Sequence, residues 1–192
     1  MDISFTCFAP DRIQNKVINH NTGKSKYDER NMMDESARIL GQQVQPLSSL
    51  SSQEYEVMII PGGIGNTTSL SNYEDEGAEM NIDNDIQAAI TDFNNAGKYI
   101  GVCQNSTILI ARHLGDKNGG PGAQLAMAAN DEMINAVNDL GNTVIETSAF
   151  DVVHDEVNKI VSSPCKLNSD ASPADMFTSM KSMVDMLLEV SK

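Results

Sequence analysis

The chain of 192 residues is 40% hydrophobic and 21% charged, which is the composition of one folded globular domain and not of a disordered segment or a coiled coil. Its 13 basic and 27 acidic residues give a formal charge of −14, which repels nucleic-acid backbones and anionic membranes and argues against both as partners.

The cysteine pattern and the N-terminal residues predict where in the cell the protein lies. Cys7, Cys103 and Cys165 are odd in number and far apart, so free thiols in a reducing environment are expected rather than disulfides. The opening stretch "MDISFTCFAPDR" lacks the basic and apolar order of an export signal, and no segment reaches the roughly 18 consecutive apolar residues of a membrane span. Cytoplasm is therefore the expected location.

The first third of the chain alternates strand-like and helix-like segments. "ISFTCFAP" (3–10) is rich in β-branched and aromatic residues and predicts a buried strand that stops at its proline. Apolar residues at helical spacing predict a helix over 28–41, closed by a glycine. "YEVMIIPGGIGN" (55–66) is apolar until its Pro-Gly-Gly turn, a pattern typical of a parallel strand covered on both faces.

The middle of the chain repeats this order. Spacing predicts a covering helix over 83–97 with Asp83 as its N-cap, and "KYIGVC" (98–103) predicts a second buried strand. A helix over 105–115 follows after a tight joint. Glycine, proline and polar residues in 116–124 predict an exposed loop.

The last third predicts a helix over 130–141, a strand over 143–147 and a hairpin over 151–164. A final helix is predicted to start at Pro173. Ser172 before it and Asp175 in its first turn form a capping pattern. Its buried stripe consists of Met176, Met180, Met183, Leu187 and Val190. Strands that alternate with helices predict a single α/β domain, residues 1–192, with a mainly parallel sheet.

Two loops should meet beyond the carboxyl ends of the parallel strands, where such folds usually bind ligands. In the Pro-Gly-Gly turn, the backbone N–H groups of Gly62 and Gly63 could hold an oxyanion, although a plain tight turn explains the same residues. In the second loop, the start of the following helix would stabilise a thiolate at Cys103, the candidate nucleophile. The alternative is a small buried residue that ends a strand.

The sequence identifies no base for this cysteine and no metal site. His20, His113 and His154 are the candidate imidazoles, and no local spacing places any of them beside the thiol. His, Cys and carboxylate residues show no ligand spacing, so no metal is expected. The acidic segment 71–86 lacks the order of a calcium loop and is interpreted as a solvated loop.

Six motifs occur in an order that resembles the ElbB-type branch of the PfpI superfamily, a class I glutamine amidotransferase-like group. They are "CFAPD" (7–11), "VINHNTGK" (17–24), "ERNMMDESARI" (29–39), "IIPGGIGNTTSLSNYEDEGAE" (59–79), "AGKYIGVC" (96–103) and "NKIVSSP" (158–164). The resemblance implies a flavodoxin-like three-layer sandwich, often a homodimer, with a cysteine on a nucleophile elbow and a glutamate from the loop after the first strand. It also implies a link to isoprenoid metabolism and cofactor-independent, glyoxalase-like conversion of methylglyoxal or glyoxal.

The sequence departs from that branch in two ways. The branch has a strand and a helix before "CFAPD", and this sequence has no counterpart of that first strand–helix unit or of its glutamate. A gap in the sheet is expected unless "ISFTCF" shifts or another chain fills it. The branch's elbow reads Gly, two residues, Cys, two residues, Pro, which puts Gln104 at the cysteine position and Thr107 at the proline position. Cys103 lies one residue before that position. Because side chains alternate along a strand, its thiol should face the side of the sheet opposite to that of the branch's cysteine.

These departures favour an ElbB-like protein with a degenerate site, non-catalytic or weakly active, that binds a small carbonyl metabolite or a protein partner. The alternative is a working glyoxalase-like lyase in which the Cys103 thiolate attacks an aldehyde, and Gly62, Gly63, Gln104 and Asn105 form the oxyanion and substrate site. A third hypothesis, a shortened form of a longer enzyme, has the same evidence as the first. None of the three requires a cofactor.

Overall fold

The protein has a mixed α/β fold in which short, mainly parallel strands are covered by helices. A computed structural model describes residues 3–19, 21–128, 131–165 and 172–192. The strands are β1 (Phe8–Ala9), β2 (Val17–Asn19), β3 (Lys24–Lys26), β4 (Gln45–Pro46), β5 (Val57–Ile60), β6 (Tyr99–Cys103), β7 (Gln124–Met127), β8 (Thr143–Glu146), β9 (Val153–Asp155) and β10 (Ile160–Ser163). The α-helices are α1 (Met32–Leu40), α2 (Gly65–Thr68), α3 (Tyr73–Glu76), α4 (Asn84–Asn95), α5 (Thr107–Leu114), α6 (Asp131–Asp139) and α7 (Pro173–Val190). The predicted α/β class with a mainly parallel sheet is confirmed.

The central sheet has the strand order β5-β6-β10-β9. β5, β6 and β10 run parallel, and β9 pairs antiparallel with β10 as the predicted hairpin. In this register Ile59 lies opposite Gly101, and Ser163 lies opposite Cys103. The parallel pair β7–β8 joins this sheet through side chains: the Ala126 N–H donates a hydrogen bond of 2.9 Å to Ser162 Oγ, and the Gln124 N–H donates one of 2.8 Å to Asp155 Oδ2.

The two faces of the central sheet contribute to separate hydrophobic clusters. Ile100 and Val102 of β6 point into the larger core, which includes buried residues of α4, α5 and α6. Tyr99 and Cys103 point the other way, into a smaller cluster with α7. This is the two-residue alternation expected of a strand. The α7 face is therefore the side on which the Cys103 side chain lies.

Two strand predictions need correction. Strand structure was predicted over 3–10, but β1 covers two residues and pairs in parallel only with β4. Within residues 3–7, the Cys7 carbonyl oxygen accepts a hydrogen bond of 2.8 Å from the Gln45 N–H of β4, whereas no described strand pairs with residues 3–6, and Ile3 and Phe5 are exposed. β5 was predicted to be covered on both faces, but it is an edge strand of its sheet, and its Ile59 is 40% exposed.

Helix boundaries follow the capping residues. α1 was predicted from residue 28 but begins after Asn31, whose side chain accepts hydrogen bonds from two backbone N–H groups of the first turn. The predicted cap at Asp83 and the capping box of Ser172 and Asp175 are confirmed. α6 begins at Asp131, and residue 130, the first of its predicted range, lies outside the described residues.

The acidic segment 71–86 is not a plain solvated loop. It contains α3 and a 3-10 turn, and it is anchored by buried Tyr73 and Met80. The β2–β3 hairpin was not predicted, and β7 starts at the last residue of the predicted loop 116–124. Among the described residues, no helix combines the length and apolar content needed to cross a bilayer.

Candidate active site at the Cys103 turn

The turn between β6 and α5 puts a glutamine at its sharpest point. β6 ends at Cys103, a 3-10 turn covers Gln104–Ser106, and α5 starts at Thr107. Gln104 has a φ of 58°, in the left-handed region that costs an L-residue roughly 1 kcal/mol. Cys103 keeps extended geometry, with a φ of −141°. The residue with elbow geometry is therefore Gln104, one position after the thiol.

Ser106 holds this turn in place. Its fully buried hydroxyl accepts a hydrogen bond of 2.9 Å from the Cys103 N–H. The same oxygen lies 2.8 Å from the carbonyl oxygens of Ile60 and Cys103, toward which it donates. Because Ile60 ends β5, one hydroxyl joins the ends of two neighbouring strands. The contact between Ser106 and Ile60 was not predicted, because the two residues lie 46 positions apart in the chain.

The Cys103 thiol is buried and protonated. Its side chain is 1% exposed and packs in the α7-side cluster with Val161, Met183 and Leu187. Burial raises the pKa of the Cys103 thiol to about 11, although the Gly62 N–H, which donates a hydrogen bond of 3.2 Å to Sγ, opposes that shift. Thiolate chemistry at neutral pH requires a much lower pKa. In this arrangement the sulfur is an apolar packing group with one backbone donor.

The surroundings of Sγ supply hydroxyls rather than an acid or a base. Across the strand pair lies Ser163, whose hydroxyl is 2.6 Å from that of Ser179 on α7, and both are fully buried. Among the described residues, no carboxylate or imidazole is hydrogen-bonded to Cys103. Proton transfer to or from the thiol would need such a partner.

The glycine turn packs directly against the elbow. A Cβ at Gly62 would lie 2.5 Å from Gln104 Oε1, 2.6 Å from Gln104 Cβ and 2.9 Å from the Cys103 carbonyl oxygen. Gly63 has a φ of 125°, which only glycine adopts readily. Gly62, Cys103 and Gln104 are therefore in contact, and half-buried Asn105 follows in the 3-10 turn. The glutamine side chain occupies the space beside the glycine backbone.

The other sequence candidates lie apart from the thiol. His113 is half-buried near the end of α5, and burial lowers the pKa of its imidazole. His154 Nε2 lies 3.2 Å from the Tyr99 hydroxyl, a contact the sequence analysis missed. His20 lies outside the described residues. Thr107, at the branch's proline position, has a buried hydroxyl with no hydrogen-bond partner in the described part of the chain.

No group of three described His, Cys, Asp or Glu residues could hold a metal ion. The elbow region therefore offers backbone N–H groups, the neutral amide side chains of Gln104 and Asn105, and one shielded thiol. Such an arrangement can bind a carbonyl or carboxylate oxygen through hydrogen bonds. It has no ionised nucleophile at neutral pH.

Comparison with known proteins gives relatives that match this fold. No protein-family profile matches the chain. The ES1 protein, mitochondrial, of Danio rerio is 31% identical over 177 residues, which are 83% of this chain and 63% of that protein. The human glutamine amidotransferase-like class 1 domain-containing protein 3, mitochondrial, is 35% identical over 108 residues, 56% of this chain and 40% of that protein. The chain spans less than two thirds of both relatives.

A solved structure aligns over nearly the whole chain. The isoprenoid biosynthesis protein with amidotransferase-like domain from Ehrlichia chaffeensis is 25% identical and superposes with a TM-score of 0.88, covering 98% of this chain and 84% of that one. The Francisella tularensis rapid encystment protein of 24 kDa, 12% identical with a TM-score of 0.54, shares the fold alone. The matches in sequence and fold agree: the chain is similar in sequence to class I glutamine amidotransferase-like proteins and has the flavodoxin-like fold of such a domain.

Proposed function

We propose that this chain is an ElbB-like member of the superfamily whose inherited site no longer carries out thiolate chemistry. It would act as a non-catalytic or weakly active protein that binds a small carbonyl metabolite or a protein partner. The likeness to the Ehrlichia chaffeensis isoprenoid biosynthesis protein supports the ElbB-like assignment. One observation carries the functional part: the residue with elbow geometry is Gln104, and the cysteine before it is buried against α7.

The chemistry of these two residues supports loss of catalysis. A thiol with a pKa of about 11 is ionised in roughly one molecule in ten thousand at pH 7. The Gln104 amide is neither nucleophilic nor titratable. Without a described acid or base at the thiol, both the attack on a carbonyl and the later proton transfer lack a partner.

The alternative function is a cofactor-independent glyoxalase. It is favoured by the Gly62 N–H, which lies 3.2 Å from Cys103 Sγ and would help to stabilise a thiolate there. The thiolate would attack the aldehyde carbon of methylglyoxal, and the electron pair of the C=O bond would move to oxygen, held by the N–H groups of Gly63 and Gln104. A base would then move the proton between the two carbons, and hydrolysis of the resulting thioester would release lactate.

Lactate production from methylglyoxal separates the two functions. We expect equal, background rates for the wild type, Cys103→Ser and the control Cys7→Ser. A wild-type rate well above background that is lost in Cys103→Ser and kept in Cys7→Ser would overturn the proposal and establish the enzyme. In a further arm, Gln104→Cys puts a thiol at the elbow position, and we expect any gain of activity to appear only in that variant.

The compartment is a separate proposal. The sequence predicts cytoplasm, whereas the names of the curated relatives from Danio rerio and Rattus norvegicus include the word mitochondrial. We propose the cytoplasm on the basis of the sequence alone. Imaging of the protein with a C-terminal fluorescent tag, beside a mitochondrial stain, would test it, and colocalisation with the stain would overturn it.

A further inference from the structure

A polar cleft lies at the far end of α5 from the Cys103 turn, between that helix and the start of α4. Its volume is about 400 Å³, which falls within the size of small-molecule sites. The polar side chains that line it are Asn81, Asn84, Gln87, Arg112, His113 and Asn118. The proposed function uses none of these residues.

Arg112 is the charged group of this cleft. The sequence has four arginines, and Arg12, Arg30 and Arg38 each pair with a carboxylate. Arg112 has no carboxylate partner among the described residues, although the chain has twice as many acidic as basic residues. An unpaired guanidinium in so acidic a protein is available for an external anion.

The guanidinium is fixed in orientation. Its Nε–H donates a hydrogen bond of 2.7 Å to the carbonyl oxygen of Met80, a fully buried residue. The terminal NH₂ groups make no hydrogen bond to the described residues, and Arg112 lines the cleft. A guanidinium held on one edge can offer the other edge to a carboxylate or phosphate at little entropic cost.

The side chains that line the cleft beside Arg112 add hydrogen-bond donors, and none of them is acidic. Asp83, which caps α4, already binds Arg12 at 2.6 Å and accepts from the Asp85 N–H, so its carboxylate is engaged. Burial lowers the pKa of His113, so its imidazole is neutral at pH 7. The side-chain amides of the four lining Asn and Gln residues make no hydrogen bonds to other described residues. Their N–H and C=O groups remain available to a polar ligand.

We propose that this cleft binds a small polar molecule through an oxyanion group, either a carboxylate or a phosphate, held by the terminal N–H groups of Arg112. The amides of Asn84, Gln87 and Asn118 would hydrogen-bond the rest of the molecule. This site is independent of Cys103, so the inference does not depend on whether the elbow is catalytic.

Titration calorimetry of the full chain with inorganic phosphate, with citrate and with uncharged glycerol, at constant ionic strength, tests the proposal. We expect saturable binding of phosphate or citrate and none of glycerol, and the stronger of the two anions identifies the source of the oxyanion. Arg112→Gln should weaken that binding about tenfold or more, whereas Arg38→Gln, on exposed α1, should leave it unchanged.

A second variant separates ligand binding from folding, because loss of the Met80 contact could unfold Arg112→Gln. Asn118→Asp adds a negative charge at the exposed rim of the cleft and keeps Arg112 in place, so it should weaken anion binding, whereas Asn21→Asp in the exposed β2–β3 turn should not. No saturable binding of either anion up to roughly 10 mM would overturn the proposal. Equal weakening by Arg38→Gln, or no effect of Asn118→Asp, would overturn it as well.

Discussion

At the scale of single residues, the position of one sulfur decides the chemistry of the elbow. Cys103 ends a strand whose alternate residues face α7, so its thiol lies among apolar side chains. Burial raises its pKa, because an ion loses more solvation there than the Gly62 N–H returns. The environment thus keeps the sulfur in its unreactive, protonated form.

Alkylation by iodoacetamide measures this directly. Only the thiolate reacts, so we expect very slow labelling of Cys103 at pH 7, rising with pH until the thiol titrates near a pKa of about 11. Half-exposed Cys7 should react much faster at neutral pH. Site-resolved mass spectrometry gives both rates in one sample. Fast labelling of Cys103 at pH 7, with a midpoint below the ordinary thiol pKa of about 8.5, would contradict the assignment.

The contact between Gly62 and Gln104 gives a second residue-scale prediction. Gly62→Ala puts a methyl group within 3 Å of three atoms of the elbow, two of them on the Gln104 side chain. We expect a loss of about 1–3 kcal/mol in the free energy of unfolding, measured with urea. Gln104→Gly removes that side chain and relieves the positive φ, so we expect it to recover much of the loss in the double variant. Simple additivity of the two single effects would show that the residues are not coupled.

Part of this site can be predicted from the local sequence. The offset of the elbow to Gln104 follows from motif spacing, and the side faced by Cys103 follows from strand alternation. The Ser106–Ile60 hydrogen bond joins residues 46 positions apart, and His154 meets Tyr99 across 55 positions. No local pattern encodes such contacts, because they arise only when separate strands align. For the same reason, the role of Arg112 could not be read from its helix.

At the scale of elements, α7 and β10 are joined by a buried polar contact within an apolar interface. The hydroxyls of Ser163 and Ser179 lie 2.6 Å apart, and both residues are fully buried. Each hydroxyl is the hydrogen-bond partner of the other, so burial of the pair costs little free energy as long as both are present. Removal of one leaves a buried polar group without that partner.

This gives a test by double-mutant cycle. Ser179→Ala should destabilise the protein by about 1–3 kcal/mol, because Ser163 loses its partner. Ser163→Ala should cost a similar amount, and the double variant should be less destabilised than the sum of the two single variants. Urea unfolding monitored by circular dichroism gives these values. A double variant that equals the sum would mean that the hydroxyls do not act as a pair.

Helices were easier to foresee than strands. The caps at Asp83 and Ser172 lie in the same few residues as the helix that they start, so the sequence encodes them locally. Whether residues 3–7 form a strand, and whether β5 lies inside the sheet or at its edge, depends on pairing with a neighbouring strand. Such pairing is a property of the whole sheet and not of the segment itself. An apolar run such as Val57–Ile60 identifies a strand but does not determine whether it becomes an edge.

At the scale of the whole molecule, the edge at β5 is an apolar surface that lacks the usual protection of an edge strand. Edge strands usually have charges, prolines or bulges that prevent pairing with other chains, and β5 has the sequence Val-Met-Ile-Ile. Ile59 is exposed on its α7 face, and Ile3 and Phe5 are exposed on an unpaired segment. We infer that this surface drives self-association, including the homodimer expected from the family resemblance.

Analytical ultracentrifugation over a range of protein concentrations tests this inference. Ile59→Lys puts a charge on the edge strand, so we expect it to shift the protein toward the monomer about tenfold in dissociation constant or more. The control Ile39→Lys adds the same charge at a 76% exposed residue of α1 and should leave association unchanged. A wild type that stays monomeric at all concentrations, or equal effects of both variants, would contradict the inference.

The Ser106 hydroxyl also dictates when the elbow can form as the polypeptide acquires its structure. One of its partners, the Ile60 carbonyl oxygen, lies 46 residues away in the chain, so this hydrogen bond is not available until β5 and β6 have paired. Until then, the local hydrogen bonds between Ser106 and Cys103 are the contacts of this hydroxyl that offset the unfavourable backbone angle of Gln104. The turn should therefore be unformed in the transition state for folding. We expect Ser106→Ala to speed unfolding and to leave the refolding rate nearly unchanged.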